Sequence, residues 1–292
     1  MRSSDRSAER RRARPLLGTL VELRVSAAEG DPGPAIAAAF AAVARVHALM
    51  SVHDRASELS RLNRCGHIGP IAVDPWIYRV LTAALAVAKA TGGSFDCTVA
   101  PVLARHRLLP RDIGRGAASD ASWRDLRLHD NGQVSFARPL AIDLGGIAKG
   151  FAVDRAVDAL RAGGVRAGLV NAGGDMRLFG PGREPIHVRD PIEPSRLVQI
   201  GSLADGAVAT SSFTFVREAG CASPIIDPFR RRPLPKQDRS VSVIAPEAMI
   251  ADALTKPMLL GAGDPAALLD AFGAHAVILE GTVAPRGFPH AA

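Results

Sequence analysis

Residues 141–175 read AIDLGGIAKGFAVDRAVDALRAGGVRAGLVNAGGD, and the change of rhythm inside them decides the fold. A short apolar run over 141–144 reads as a strand end, and Gly145-Gly146 breaks it. Apolar residues then recur at helical spacing over 147–162, and 166–171 returns to a strand pattern that closes on Asn171-Ala172-Gly173-Gly174-Asp175. Strand, turn, helix and strand in succession give an α/β rhythm at the centre of the chain.

Upstream, 16–25 alternates Leu and Val with other residues and reads as a strand, followed by a helix over 35–49. Asp74-Pro75 is a strong helix start, with Asp as cap and Pro at the first position; it leads 76–90 into the stop Thr91-Gly92-Gly93. Loops and a hairpin with a strand at 133–136 are expected over 105–138. Downstream, 187–189, 197–203 and 207–210 are short strands with no helix between them, which implies antiparallel pairing. A strand at 240–244, a helix from Pro246, a helical turn near 265–272 and a strand at 276–279 complete the pattern. The whole is an α+β fold around one core, with a smaller helical subdomain over 72–110.

The chain has 292 residues, of which 47% are hydrophobic, enough to bury one large core. Its longest apolar stretches, 35–46 and 81–88, fall short of the roughly 20 residues a membrane-spanning helix needs, so no span is expected. The formal charge is +7, but residues 1–14 hold six arginines against Asp5 and Glu9, so +4 of it falls in what reads as a disordered basic tail. The remaining +3 and the single tyrosine, Tyr78, give no stacking platform or basic stripe, and nucleic acid is not an expected partner. Cys65, Cys97 and Cys221 are far apart and form no metal-ligand pattern with His, which suggests reduced thiols. No apolar leader is read near the N-terminus, and a cytoplasmic location is the expectation.

Four lysines stand out in an arginine-rich chain, Lys89, Lys149, Lys236 and Lys256. Lys149 follows Asp143-Leu144-Gly145-Gly146 in the first turn of a helix, where bare backbone and the helix start suit a phosphate. The same pattern reads equally well as an ordinary tight connection with a solvated lysine. Asn171 to Asp175 is common turn chemistry with a lesser claim to a ligand. In Gly93-Ser94-Phe95-Asp96, Asp96 serves either a nucleotide's polar edge or the next turn. Asp252 and Lys256 share a helix face at i, i+4 among Met249, Ile250, Leu254, Met258 and Leu259, so a buried carboxylate there needs either Lys256 or a metal as partner. The eight histidines show no HxxxH or HExxH pair and no GxSxG is present, which disfavours a zinc hydrolase and a serine hydrolase of that type.

Read together and in order, these segments resemble the FAD:protein FMN transferase (ApbE-type) family. They are Leu17-Gly18-Thr19, Met50-Ser51-Val52-His53, Ser57-Glu58-Leu59-Ser60-Arg61-Leu62-Asn63, Gly93 to Pro101, Asp143 to Asp154, Asn171 to Asp175, Ala209-Thr210-Ser211, Ile225-Ile226-Asp227-Pro228 and Ala251 to Thr255. The resemblance spans residues 14–280. It implies a single ApbE-like, T-fold-related core of mixed, mostly antiparallel sheet over 15–281, followed by a C-terminal tail at 282–292. It further implies a protein that binds FAD and Mg²⁺, transfers FMN to a Ser or Thr hydroxyl of an acceptor redox protein, and releases AMP. The alternative is a non-catalytic FAD-binding protein of the same fold.

By position, the resemblance places Ser94, Phe95, Asp96, Asp143, Lys149 and Ile225 on FAD. It places Gly146 (through its carbonyl), Asp252 and a threonine, for which Thr255 is the candidate, on the metal. Four segments depart from the family pattern. Pro224 stands where a histidine precedes Ile-Ile-Asp-Pro, which leaves His53 and Asp227 as candidate bases. Thr-Ser-Gly reads Thr210-Ser211-Ser212, and Arg-Thr-Gly reads Phe229-Arg230-Arg231. Lys256 occupies the usual metal threonine's place, four residues after Asp252, and is expected to replace the metal in part.

Overall fold

The computed structural model describes residues 9–28, 30–213, 223–261 and 263–280. The expected C-terminal tail, the first eight residues and Cys221 lie outside them. In chain order the elements are β1 (Arg10–Leu16), β2 (Thr19–Ala28), α1 (Gly33–Met50), α2 (Glu58–Cys65), β3 (Ile71–Ala72), α3 (Pro75–Ala90), α4 (Ala100–Arg105), β4 (Leu126–His129) and β5 (Gln133–Phe136). They continue with α5 (Ala148–Ala162), β6 (Val165–Ala172), β7 (Asp175–Phe179), β8 (Glu184–Arg189), β9 (Leu197–Leu203), β10 (Gly206–Ser212), β11 (Ile226–Asp227) and β12 (Arg232–Pro233). β13 (Arg239–Ala245), α6 (Ala248–Leu260), α7 (Pro265–Ala271) and β14 (His275–Glu280) follow.

A seven-stranded sheet in the order β1-β2-β6-β7-β10-β13-β14 forms the spine, antiparallel at every step. Alternate side chains of its strands serve two cores, as the period of two requires. Val170, Ala207, Ala209, Val241 and Val243 face α1, α3, α5 and α6 in the main cluster. Leu169, Leu178, Val208 and Val277 face the opposite way, where Ile186 and Val188 of β8 and Ile200 and Leu203 of β9 cover them. α1 is long and apolar enough, by length and composition alone, to cross a membrane. Here Ile36, Ala39, Phe40, Val43 and Val46 bury it in the main core against α5. The helical segment expected over 72–110 is present as α3 and α4. Ile77, Val80 and Leu81 of α3 join the same main core, and only Val102 and Leu103 of α4 form a small satellite with Ile226.

Three expectations are corrected. Arg10 to Arg14 do not belong to a frayed tail: they form most of β1, paired along its length with β2. This edge strand is exposed on both faces, so it lacks alternation, and its arginines and Pro15 suit a sheet edge. The strand expected over 16–25 therefore begins only at Thr19, as β2, after a turn at Leu17 and Gly18, both at positive φ (56° and 70°), that joins it to β1. The third concerns 141–144, which is not a strand. The Asn63 side-chain amide accepts from Ile142 N–H (2.8 Å) and donates to Ile142 C=O (2.9 Å), while Asp143 N–H goes to the Cys97 carbonyl (2.8 Å). One side chain thus satisfies the backbone as a neighbouring strand would. With β6 antiparallel to both its neighbours, the central α/β rhythm contains no parallel crossover.

Candidate active site

A cleft of about 1540 Å³ opens beside the main sheet. Its walls are the β1–β2 turn, the C-terminal end of α1 with Ser51 to Asp54, the end of β10, and Ile186, Val188 and Leu197 of the β8–β9 hairpin. Asp143, Gly145, Gly146, Lys149, Gly174 and Lys256 also line it. Gly173 and Gly174 form the two-residue β6–β7 turn at φ +66° and +105°. A Cβ on Gly173 would sit 2.5 Å from Thr19 Oγ1, so glycine permits the two turns to meet at the rim.

Two buried carboxylates and two ammonium groups are chained along one side of the cleft. Lys149 ion-pairs with Asp175, whose carboxylate is 3% exposed, and lies 3.8 Å from Asp252 Oδ2. Asp252, 1% exposed, accepts on the same oxygen from Gly150 N–H (3.2 Å), while its other oxygen takes the Lys256 ammonium. Lys256 also donates to the Asp252 carbonyl (2.8 Å). The carboxylates face inward and the lysines line the opening. Burial pushes Asp175 up to about 6, reinforced by Asp252 and opposed by Lys149 and Lys256. Burial acts upward on Asp252 as well, but Lys149 and Lys256 outweigh it and hold that carboxyl below its usual range. Burial lowers Lys149, yet Asp252 and Asp175 bring it above the ordinary lysine value.

The start of α5 is less open to an anion than its sequence suggests. Ile147 and Ala148 N–H both reach the Leu144 carbonyl (3.0 and 2.8 Å), and Gly150 N–H is held by Asp252. Attraction for a phosphate at this turn therefore falls to the lysine side chains.

Of the residues expected on FAD, Asp143, Lys149 and Ile225 line the cleft. Ser94, Phe95 and Asp96 do not: Phe95 lies against Gly146, while Ser94 and Asp96 are engaged by other backbone groups. Ser94 Oγ donates to the Thr91 carbonyl (2.9 Å), and Asp96 accepts from Thr98 N–H (2.8 Å) and Trp123 N–H (3.2 Å). Phe95 packs under Gly146, where a Cβ would lie 3.7 Å from its ring. Asp143 is half-buried; burial raises its pKa against the Gly145 N–H, His53 and Lys256.

The two candidate bases part company. His53 is exposed and lines both the cleft and an adjoining cavity of about 370 Å³. Asp227 is not on the cleft. It closes a turn by accepting from Phe229 N–H (3.0 Å), Arg230 N–H (3.0 Å) and the Arg230 guanidinium (2.9 Å). Burial works upward on it, but these donors keep it a carboxylate.

The expected metal donors are not assembled for Mg²⁺, which asks for near-octahedral oxygen ligation. Lys256 covers one Asp252 oxygen, and Gly150 and Lys149 occupy the other. The Thr255 hydroxyl is fully buried, donates to the Asp252 carbonyl (2.7 Å) and is engaged by Ser211 Oγ (2.7 Å), so it is already committed to protein partners. The Lys256 stem runs past Gly146, where a Cβ would meet its Cε at 3.2 Å.

Sequence reasoning missed the pairing of Lys149 with Asp175 and the β8–β9 wall. The alternation of Ile186 and Val188 was the available signal for the second.

Comparison with known proteins gives a consistent result. The ApbE family model matches residues 17–278. The FAD:protein FMN transferase of Vibrio cholerae is 33% identical over 228 residues, covering 72% of this chain and 68% of that protein. The one from Treponema pallidum is 28% identical, covering 91% and 83%. Among solved structures, the ApbE protein from Thermotoga maritima superposes with a TM-score of 0.83 at 28% identity, covering 96% of this chain and 97% of that one. The flavin transferase ApbE from Vibrio cholerae gives 0.80 at 24% identity, with 96% of each chain covered, a likeness of fold.

Proposed function

Because this chain belongs to the ApbE family, we propose that it is an FAD:protein FMN transferase that moves FMN from FAD to a serine or threonine hydroxyl of an acceptor redox protein and releases AMP. The observation that carries this reading is the cleft with Lys149 and Lys256 at one wall and aliphatic side chains at the others. Its volume exceeds the roughly 300–1,000 Å³ of ordinary small-molecule pockets, which leaves room for a dinucleotide and an approaching acceptor side chain. The ammonium groups suit the diphosphate, and the apolar walls suit the rings.

In the reaction the acceptor oxygen attacks the phosphorus of the FMN half. A new P–O bond forms as the bond to the AMP oxygen breaks, and the hydroxyl proton passes to a base. Lys149 and Lys256 stabilise charge on the phosphoryl oxygens and on the leaving AMP. Pro224, which lines the cleft beside Ile225, has neither a donor nor an acceptor for that proton on its side chain. His47, His53 and His187 all line the cleft; of these, His53 lies in a segment that matches the family pattern, and it takes the role here. Phe95 supports the Gly145-Gly146 turn, and Ser94 and Asp96 fix the segment that carries Phe95. The residues present do not assemble a magnesium site. A cytoplasmic setting is supported by the free thiols of Cys65 and Cys97.

The test is incubation with FAD and a peptide bearing a Ser/Thr acceptor, read by mass. The peptide is expected to gain FMN and AMP to appear in equal amount. FAD binding with no mass gain would instead identify a non-catalytic FAD-binding protein. His53→Ala is expected to slow transfer by about 10²- to 10⁴-fold, the usual worth of a general base; an unchanged rate would remove His53 from that role.

A further inference from the structure

We infer that in this chain the Lys256 ammonium, seated on the buried Asp252 carboxylate, stands where a divalent cation would neutralise the diphosphate, so that FAD binds without metal. The inference rests on the flavin reading above and adds to it the identity of the counter-charge.

A metal would have to bind Asp252 at an oxygen that is free and faces the cleft, and neither oxygen meets both conditions. One carries Lys256 and the other is shared between Gly150 N–H and Lys149. The neighbouring hydroxyl, Thr255, is sealed against Ser211 and the Asp252 carbonyl. The position of the lysine follows from its spacing: Asp252 and Lys256 are one helical turn apart on α6, so the side chain folds back over its own carboxylate. Gly146 then matters for what it lacks, because its bare Cα lets the Lys256 stem cross the turn and bring the ammonium to the cleft.

Charge balance points the same way. Lys149 and Lys256 offset Asp175 and Asp252, so the cluster is neutral before ligand arrives. A magnesium ion added at Asp252 would meet two ammonium groups at close range and a carboxylate with both oxygens already engaged. A diphosphate meets two ammonium groups whose carboxylates lie buried behind them. An ammonium is a compact point charge with three donors, able to bond phosphate oxygens without the fixed geometry of a metal shell.

The experiment is a fluorescence titration of the full-length protein with FAD, once in EDTA and once in excess magnesium, on the native chain, Lys256→Met and Lys256→Thr, each checked for folding by circular dichroism. The native protein is expected to bind FAD equally well in both media. Lys256→Met should bind FAD about tenfold or more weakly in EDTA, the value of a lost charge-assisted hydrogen bond. Lys256→Thr should weaken likewise in EDTA and recover when magnesium is added, because the uncovered Asp252 oxygen then accepts the ion. Native binding that appears only with magnesium overturns the inference and leaves the flavin reading standing. Native-like affinity of Lys256→Met in EDTA also overturns it. Absence of FAD binding by the native chain in both media overturns the flavin reading and this inference together.

Discussion

Two buried aspartates, Asp154 on α5 and Asp252 on α6, are used in opposite ways. The helices cap each other: Asp154 accepts from Ala248 and Met249 N–H (3.0 and 2.9 Å) at the start of α6, and Asp252 accepts from Gly150 N–H at the start of α5. Asp154 finds its counter-charge in Arg177 (2.6 Å), a half-buried side chain on β7. Asp252 finds its own in two lysines that border the cleft. The first carboxylate spends its charge on holding two helices together. The second does the same with one bond and uses the rest to aim cations at a ligand.

The comparison can be broken at either end. Asp154→Ala removes both backbone caps of α6 and strands Arg177, and it should cost about 3–5 kcal/mol in chemical unfolding, as loss of one partner from a buried pair does. Binding by the folded fraction should change little. Loss of FAD affinity without loss of stability would mean that Asp154 serves the ligand after all.

Lys149→Met should show the reverse. FAD affinity should fall by roughly ten- to a hundredfold in titration, the worth of one or two charge-assisted hydrogen bonds. Stability should fall less than in Asp154→Ala, because Asp175, already pushed up to about 6, takes a proton more readily than an ordinary carboxylate. A large loss of stability with unchanged affinity would place Lys149 among the structural pairs.

A smaller effect sharpens the picture through pH. Asp175 faces Lys149, Asp252 and Lys256, and its folded pKa lies above the ordinary value. As pH falls through about 6 it takes up a proton, and the native state gains stability because the unfolded chain would bind that proton only at lower pH. The same step removes one of the two carboxylate charges that face Lys149. FAD affinity should therefore rise by roughly two- to fivefold between pH 7.5 and 5.5, the scale of one unit charge a few ångströms away near solvent. Asp175→Asn should remove this rise; an unaltered pH profile in that variant would assign the titration elsewhere.

Local features of the fold were readable in the sequence. Asp74 accepts from Trp76 N–H (2.9 Å) with Pro75 behind it, so α3 begins where its cap and proline place it. The antiparallel strands between 187 and 210 followed from short runs without helices. The features that escaped depend on distant partners. β1 is defined by its register with β2 and carries no alternation of its own. The run at 141–144 looks like a strand because its backbone is satisfied like one, yet the partner is the side chain of Asn63, 79 residues away. In the site, Gly145-Gly146 and Lys149 announced themselves through glycine and lysine in a helix start. The pairing of Lys149 with Asp175 and the bond from Gly150 to Asp252 span 26 and 102 residues, distances over which spacing carries no signal. Ser94, Phe95 and Asp96 were recognisable as a motif, but only the structure sets Phe95 against Gly146 and gives Ser94 and Asp96 local backbone partners.

The account holds that the lysine-bordered cleft is built for the diphosphate of a dinucleotide, and a paired titration of the native protein with FAD and with FMN tests this most directly. FAD carries a second phosphate to Lys149 and Lys256 and an adenosine to the apolar walls, so it should bind at least about tenfold more tightly than FMN. Equal affinities for the two flavins would contradict the account.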